Sequence, residues 1–184
     1  MTKPLIIAPT ERLYFRLLDV NQADAELLFE LDQDKDVMHF INGGRATTRT
    51  EITDTFLPRL AAYRNPDLGW GLWAVFQSAN DSYMGWILAR PMHFFSETPH
   101  FDDIELGWRF KKSHWGKGFA TEAAKQVMQT LYQKRDYRLF SAIAVAENRG
   151  SIAIMKKLGM KFQSSGMHQD PLGDMWVDTY QVKL

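Results

Sequence analysis

The sequence predicts a single α/β domain, residues 1–184, with a mixed central sheet of about seven strands flanked by about four helices. Its 184 residues are 45% hydrophobic and 24% charged, which is usual for one soluble globular domain. Apolar runs with strand spacing and with helix spacing follow one another along the chain. Residues 104–145 read as strand, helix and strand, a unit that requires parallel pairing, whereas the flanking hairpins require antiparallel pairing.

The predicted strands are short apolar runs bounded by turn residues. They are residues 13–17, 71–76, 83–88, 104–110, 139–145, 160–163 and 175–182. The fifth run is almost continuously apolar, as expected for a strand that is covered on both sides. Residues 91–99 begin and end with proline, and we expect them to be irregular.

Four segments carry helix-start signals or helical spacing of apolar residues. Asn21 caps the first, and the capping box Thr48-Arg49-Thr50-Glu51 opens the second, which we expect Pro58 to bend or shorten. The third runs from about residue 119 to 134, with its buried face spaced every three to four residues. Asn148 caps the fourth.

Composition excludes several classes of function. The chain has 22 basic and 22 acidic residues, so a protein that binds nucleic acid by bulk positive charge is not expected. The absence of cysteine excludes disulfides, thiolate metal sites and a cysteine nucleophile, and it fits a cytoplasmic protein. No apolar run approaches the roughly 20 residues of a membrane span, so no membrane association is expected.

Two stretches of opposite charge lie within this neutral total. Residues 19–36 contain seven acids and one base, whereas the residues between Glu105 and Glu122 contain four Lys or Arg, one His and no acid. Both stretches can be solvated surfaces, which is what most charge runs are. The alternative is that the basic stretch binds an anion.

The glycines inside the basic stretch favour the anion. A predicted strand runs into a loop with Gly116 and Gly118, and a helix follows at once. The first N–H groups of a helix lack internal partners and carry the positive end of its dipole, so they bind phosphate. Lys111, Lys112 and Lys117 would add to the positive field. A tight turn without a ligand is the alternative interpretation.

Other motifs fit this chain poorly. The loop lacks the first glycine of a Walker A sequence and has Thr121 where a dinucleotide fingerprint needs its third glycine. The five histidines are scattered without the spacing of metal ligands, so no metal is expected. No serine stands in a Gly-x-Ser-x-Gly elbow, which argues against a covalent hydrolase.

Residues 116–120 (Gly-Lys-Gly-Phe-Ala) resemble the Gln/Arg-x-x-Gly-x-Gly/Ala pyrophosphate loop of the GCN5-related N-acetyltransferase (GNAT) superfamily. Residues 115–123 are similar to the RimJ/RimL-like branch, which acetylates the N-termini of ribosomal proteins, and so are residues 10–16, 148–151 and 156–162. The resemblance covers nearly the whole chain in the right order. Trp115 occupies the Gln/Arg position, so only the backbone donors of the motif carry over.

The resemblance implies an enzyme that uses acetyl-CoA as co-substrate and acetylates a primary amine. The residues expected to bind acetyl-CoA are Phe110, Lys111, Trp115, Gly116, Lys117, Gly118, Phe119, Ala120, Thr121 and Asn148. Glu105 is the candidate base that takes a proton from the amine, directly or through water, and Ser151 is the candidate acid for the CoA thiolate. The tyrosine that many members use as an acid, in or just after the last helix, is missing here.

The alternative is a non-catalytic acyl-CoA-binding regulatory module. The missing tyrosine favours it, while Glu105 and Ser151 count against it. For the enzyme, the expected acceptor is a protein N-terminal amine or a small amine, and the expected state is a monomer or homodimer. The sequence does not distinguish between the two acceptors.

Overall fold

The computed structural model describes residues 3–184, and its seven strands form one mixed sheet. The strands are β1 (Leu13–Leu17), β2 (Gly71–Gln77), β3 (Tyr83–Met92), β4 (His100–Phe110), β5 (Leu139–Ala144), β6 (Lys161–His168) and β7 (Met175–Lys183). Their order in the sheet is β1-β2-β3-β4-β5-β7-β6. Neighbours pair antiparallel except β4 and β5, which pair parallel. The predicted mixed-sheet α/β class is confirmed.

The helices carry the caps that the sequence predicts. They are α1 (Gln22–Leu31), α2 (Lys35–Asn42), α3 (Arg49–Glu51), α4 (Leu57–Tyr63), α5 (Phe119–Arg135) and α6 (Arg149–Lys157). Asn21 caps α1 by accepting from the Asp24 N–H, and Thr48 and Glu51 form the capping box of α3. A π-helical segment, Ile52–Phe56, joins α3 to α4 just before Pro58, so the expected disturbance by this proline takes the form of a wider turn.

Three expectations about the elements were wrong. Helix α2 was not predicted, although Asp34 caps its start and Gly43 ends it in the left-handed conformation. Strand β3 continues through Pro91 into the segment expected to be irregular, because the fixed φ of proline is compatible with an extended chain; the register shifts directly after it. Strand β6 extends to His168, paired with β7, and is longer than the predicted run.

The sheet has a different hydrophobic cluster on each face. Helices α5 and α6 pack on one face, where Leu106 is buried, and helices α1 and α4 pack on the other, where Leu88 is buried. Successive side chains of a strand point to opposite faces, so alternate residues of β4 are divided between the two sides. Within residues 3–184, no helix has the length and apolar character needed to span a bilayer.

Candidate active site

Strands β4 and β5 separate along their length, and this separation creates a cleft. They pair only where residues 103–105 lie beside residues 139–141. Beyond that point β4 continues to pair with β3, and β5 continues to pair with β7. The two parallel strands therefore diverge ahead of the loops that lead into α5 and α6.

A cavity of about 420 Å³ lies at this separation. It is lined by the end of β4, the loop after it, the first turn of α5, one side of α6 along its length, and one side of α2. The residues expected to bind acetyl-CoA that line it are Phe110, Trp115, Gly116, Gly118, Phe119, Ala120, Thr121 and Asn148. Ser151 lines it as well, whereas Lys111, Lys117 and Glu105 do not.

The loop before α5 needs its two glycines for their backbone conformation. Gly116 and Gly118 have φ angles of +71° and +81°, a region that L-residues rarely adopt. Space is available at both, since a Cβ on Gly116 would meet nothing within 4 Å and one on Gly118 would come no closer than 3.6 Å to the Arg12 guanidinium. The glycines are therefore required by the turn itself.

This turn leaves a set of hydrogen-bond donors available. Within residues 3–184, no acceptor pairs with the backbone N–H groups of residues 116–121, and no side chain caps α5. Helix α5 has 17 residues, so the positive end of its dipole adds to these donors. A diphosphate group fits this donor set because it presents several acceptor oxygens and negative charge.

Arg12, which the sequence reasoning missed, holds the loop in place. It pairs with Glu122 at 2.5 Å, donates to the Lys117 carbonyl at 3.2 Å and stacks 4.3 Å from the centre of the Phe119 ring. Thr10 donates to the same Glu122 carboxylate at 2.6 Å. The segment before β1 therefore fixes the start of α5 through side chains rather than through a helix cap.

The basic stretch pairs with the acidic one, so the two are partners rather than separate surfaces. Arg109, Lys111 and Lys112 form ion pairs of 2.6 Å with Asp32, Glu30 and Asp36, respectively. The expectation that Lys111 and Lys112 add a free positive field is corrected by these pairs. The remaining lysine, Lys117, donates to the Ser113 carbonyl at 2.8 Å.

One of these ion pairs, Lys112–Asp36, ties α2 to the loop after β4. Val37, Phe40 and Ile41 of α2 line the cavity and give it an apolar wall opposite α6. His114 lines it too, and burial, followed by the nearby Lys117 and Lys111, lowers the pKa of its imidazole. The neutral form of His114 is therefore favoured, and the cavity depends on backbone donors more than on cationic side chains.

Ser151 is held at the start of α6 by two hydrogen bonds. Its backbone N–H donates to the Asn148 side chain at 3.1 Å, which makes Asn148 the cap of α6 as expected. Its Oγ accepts from the Trp108 indole N–H at 3.0 Å. Because the indole can only donate, the hydroxyl proton of Ser151 is left to point elsewhere.

Glu105 lies on the other side of β4, away from α5. Its neighbour Leu106 belongs to the hydrophobic cluster under α5, whereas Glu105 is 5% exposed and accepts from Arg90 at 2.9 Å. Arg90 lies on β3 directly opposite and is itself 9% exposed. The structure thus separates the two candidate catalytic residues by one sheet, with the β4–β5 separation between them.

The histidines are not all scattered, contrary to the sequence reading. The ring of His93 lies 5.1 Å from that of His100 and 5.6 Å from that of His168, measured between centroids. Across residues 3–184, however, no group of three or more His, Asp or Glu side chains is arranged to hold a metal ion.

Comparison with known proteins supports a common family. A family model described as an acetyltransferase (GNAT) domain matches residues 12–161. The chain is also 24% identical over 156 residues to the uncharacterized protein YkkB of Bacillus subtilis (strain 168), a match that covers 85% of this chain and 86% of that one.

Solved structures share the fold. An acetyltransferase of the GNAT family from Bacillus anthracis is 24% identical, with a TM-score of 0.72 and 98% of each chain covered. RimL, a ribosomal L7/L12 α-N-protein acetyltransferase in complex with coenzyme A, is 16% identical, with a TM-score of 0.69 and coverage of 97% of this chain and 98% of that chain. At these identities the structures show a common fold. The family itself is shown by the family model, which matches most of the chain.

Proposed function

Because this chain belongs to the GNAT acetyltransferase family, it is an N-acetyltransferase with acetyl-CoA as co-substrate, and we propose that it moves the acetyl group directly from the thioester to a primary amine. The candidate acceptors are a protein N-terminal amine and a small amine. Direct transfer needs no nucleophile on the enzyme, which agrees with a chain that has no cysteine.

The observation that carries this proposal is the run of unpaired backbone N–H groups at residues 116–121, beside the β4–β5 separation. The diphosphate of acetyl-CoA would accept from these donors. The apolar wall of the cavity and the Asn148 side chain would then border the rest of the molecule. Lys111 and Lys117 stay candidates for contacts at the edge of the cavity, where each already has a partner.

Glu105 is proposed to take the proton of the acceptor ammonium, directly or through water. Its Oε2 is held by Arg90, while no hydrogen bond from residues 3–184 occupies Oε1. Loss of the proton gives the neutral amine, whose nitrogen forms the new bond to the acetyl carbon. The side of β4 that faces away from α5 is therefore the side from which the amine would arrive.

Ser151 is proposed to protonate the departing thiolate. The C–S bond breaks as the N–C bond forms, and the sulfur takes the Ser151 hydroxyl proton, which solvent replaces. Ser151 lines the cavity, and its oxygen already accepts from Trp108, so its proton is available for donation.

The test is Glu105→Gln, with free CoA measured after acetyl-CoA is mixed with an amine panel. Glutamine keeps an oxygen for Arg90 but cannot accept the proton, so we expect a loss of turnover of about 100-fold or more with unchanged CoA binding. Glu11→Gln, at an exposed carboxylate before β1, is the matched control and should behave as the wild type.

Two results would count against the proposal. Normal turnover in Glu105→Gln would remove this residue from the mechanism while leaving the activity in place. Binding of CoA by the wild type without turnover of any amine, peptides included, would contradict acetyl transfer and favour the acyl-CoA-binding regulatory module.

A further inference from the structure

Three segments close over Glu105 on the face of the sheet away from α5. They are helix α4, the turn of residues 93–99 between β3 and β4, and the loop of residues 169–174 between β6 and β7. We call these three segments the roof. The Arg90–Glu105 pair lies beneath them, and Asp103 lies two residues before Glu105 on the same side of β4.

Contacts between the three segments lock the roof together. Arg59 of α4 pairs with Asp170 of the β6–β7 loop at 2.8 Å, and the two side chains are only 17% and 15% exposed. The same guanidinium lies 3.9 Å from the centre of the Phe95 ring, which belongs to the β3–β4 turn. One arginine thus joins all three segments.

The roof also packs on the residues beneath it. The Arg90 guanidinium lies 5.2 Å from the Tyr63 ring centre and 5.4 Å from that of Phe95. Tyr63 in turn meets Phe94 and Phe95 edge to face, at 5.9 and 6.1 Å between centroids. Arg90, the partner of Glu105, is therefore held by aromatic rings as well as by its ion pair.

Two buried polar atoms next to the roof and the Arg90–Glu105 pair have no hydrogen-bond partner among residues 3–184. Asp103 is 7% exposed, and its Oδ2 accepts from Ser141 at 2.8 Å and Gln181 at 3.1 Å, while its Oδ1 is buried without a hydrogen bond. The Nδ1 of His168 is likewise buried without a hydrogen bond. A buried acceptor without a donor is costly, and a ligand ammonium supplies such donors.

One of the histidines beside these atoms, His93, has a pKa below its ordinary value. Burial lowers the pKa of His93, and the neighbouring His100 and His168 lower it further. The neutral form of His93, which this shift favours, does not repel an incoming ammonium, whereas a carboxylate on the ligand would be repelled by Asp103 and Asp170. Arg90 and Arg59 are each paired with a carboxylate, so the acid here without a cationic partner among residues 3–184 is Asp103, which suits a ligand that carries an ammonium group.

We propose that the acceptor is a small primary amine that enters beneath the roof, that its ammonium group donates a hydrogen bond to Asp103 while Glu105 takes its proton, and that an extended protein N-terminus is excluded. This inference rests on the proposed acetyltransferase activity. A peptide acceptor must continue away from the site by about 3.3 Å per residue, and a neighbouring extended chain needs a separation of about 4.8 Å. Arg59 contacts both Asp170 and Phe95, so a peptide that passed between these three segments would have to break these contacts.

The experiment compares kcat/KM of the wild type for butylamine and 1,4-diaminobutane with that for a hexapeptide that has a free N-terminal serine. We expect the better small amine to exceed the peptide by at least tenfold, roughly the discrimination of one lost close contact. A higher kcat/KM for the peptide would overturn the inference. This comparison needs no variant, so it stands even if a variant does not fold.

Two variants test the roles of Asp103 and of the roof separately. Asp103→Asn should raise KM for the small amine about tenfold, with kcat and CoA binding little changed, because the charge that holds the ammonium is lost. Asp170→Asn should loosen the roof and raise the ratio of peptide to small-amine activity. Asp54→Asn, at an exposed residue, is the control for both.

The outcomes separate this inference from the proposed function. An unchanged KM in Asp103→Asn would overturn the role of that carboxylate. Peptide acetylation without small-amine acetylation would overturn the acceptor class while leaving the acetyltransferase intact. A wild type that binds CoA but acetylates neither acceptor would overturn the proposed function, and this inference with it.

Discussion

The two sides of β4 are built in opposite ways. On the side of α5, an open cavity is bordered by backbone N–H groups that have no acceptor in residues 3–184. On the other side, Glu105 is enclosed by side chains from three segments that contact one another. A single strand therefore separates a site made from the main chain from one made from side chains.

This difference matches what each side is proposed to recognise. Backbone donors at a helix start bind a diphosphate whatever the neighbouring side chains are, so the same co-substrate site suits different acceptors. An enclosure made of side chains changes with each substitution, so it can select one acceptor class. In this chain, specificity is expected to reside in the roof and cofactor affinity in the loop before α5.

The largest effect is expected at the buried ion pair between Arg109 and Asp32. Arg109 and Asp32 are 15% and 4% exposed, and Asp32 also accepts from Thr47 at 3.0 Å. Asp32→Asn leaves the arginine charge unpaired, so we expect a loss of about 3 kcal/mol in the free energy of unfolding. Since α2 follows this pair, CoA affinity should fall as well. Urea unfolding and CoA titration measure the two effects.

The control for this prediction is Asp36→Asn, which breaks the exposed pair with Lys112. Solvent screens that pair, so the variant should lose far less stability than Asp32→Asn. Equal losses in the two variants would show that burial of the Arg109–Asp32 pair is not what makes it important.

The next largest effect is expected on CoA affinity alone. Gly118→Val places a β-branched residue at a φ of +81°, which costs about 1–3 kcal/mol, so CoA affinity should fall about 5- to 150-fold. Gly173→Val is the matched control, because Gly173 also has a positive φ but lies in the β6–β7 loop. Similar CoA affinity in both variants would contradict the role of the loop before α5.

The cofactor side could be predicted because its signal is local. The glycines, the helix start and the preceding strand lie within one stretch of chain, and each has a known backbone consequence. Asn148 as the cap of α6 was predicted for the same reason, and the structure confirms it. Turns and helix caps are encoded by neighbouring residues, so they can be predicted from short sequence patterns.

The roof could not be predicted because its partners are distant in sequence. Arg59 and Asp170 are 111 positions apart, and nothing in either neighbourhood indicates the other. The Asp32–Arg109 pair, 77 positions apart, was hidden in the same way, although the two charged stretches were recognised separately. Helix α2 is different, since Asp34 and Gly43 mark its ends and a closer reading of caps would have found it.

The smallest effect should come from Trp108, whose indole N–H donates to Ser151 and thereby orients its hydroxyl. Trp108→Phe keeps an aromatic ring but removes this donor, so kcat should fall about threefold, the equivalent of one modest hydrogen bond, with KM for acetyl-CoA nearly unchanged.

Ser151→Ala should lower kcat by about tenfold, less than a positioned acid usually contributes, because solvent can also protonate a thiolate in an open cleft. If Trp108 acts through Ser151, the double variant should be no slower than Ser151→Ala alone. Additive losses in this cycle would assign Trp108 to packing and leave Ser151 unassisted.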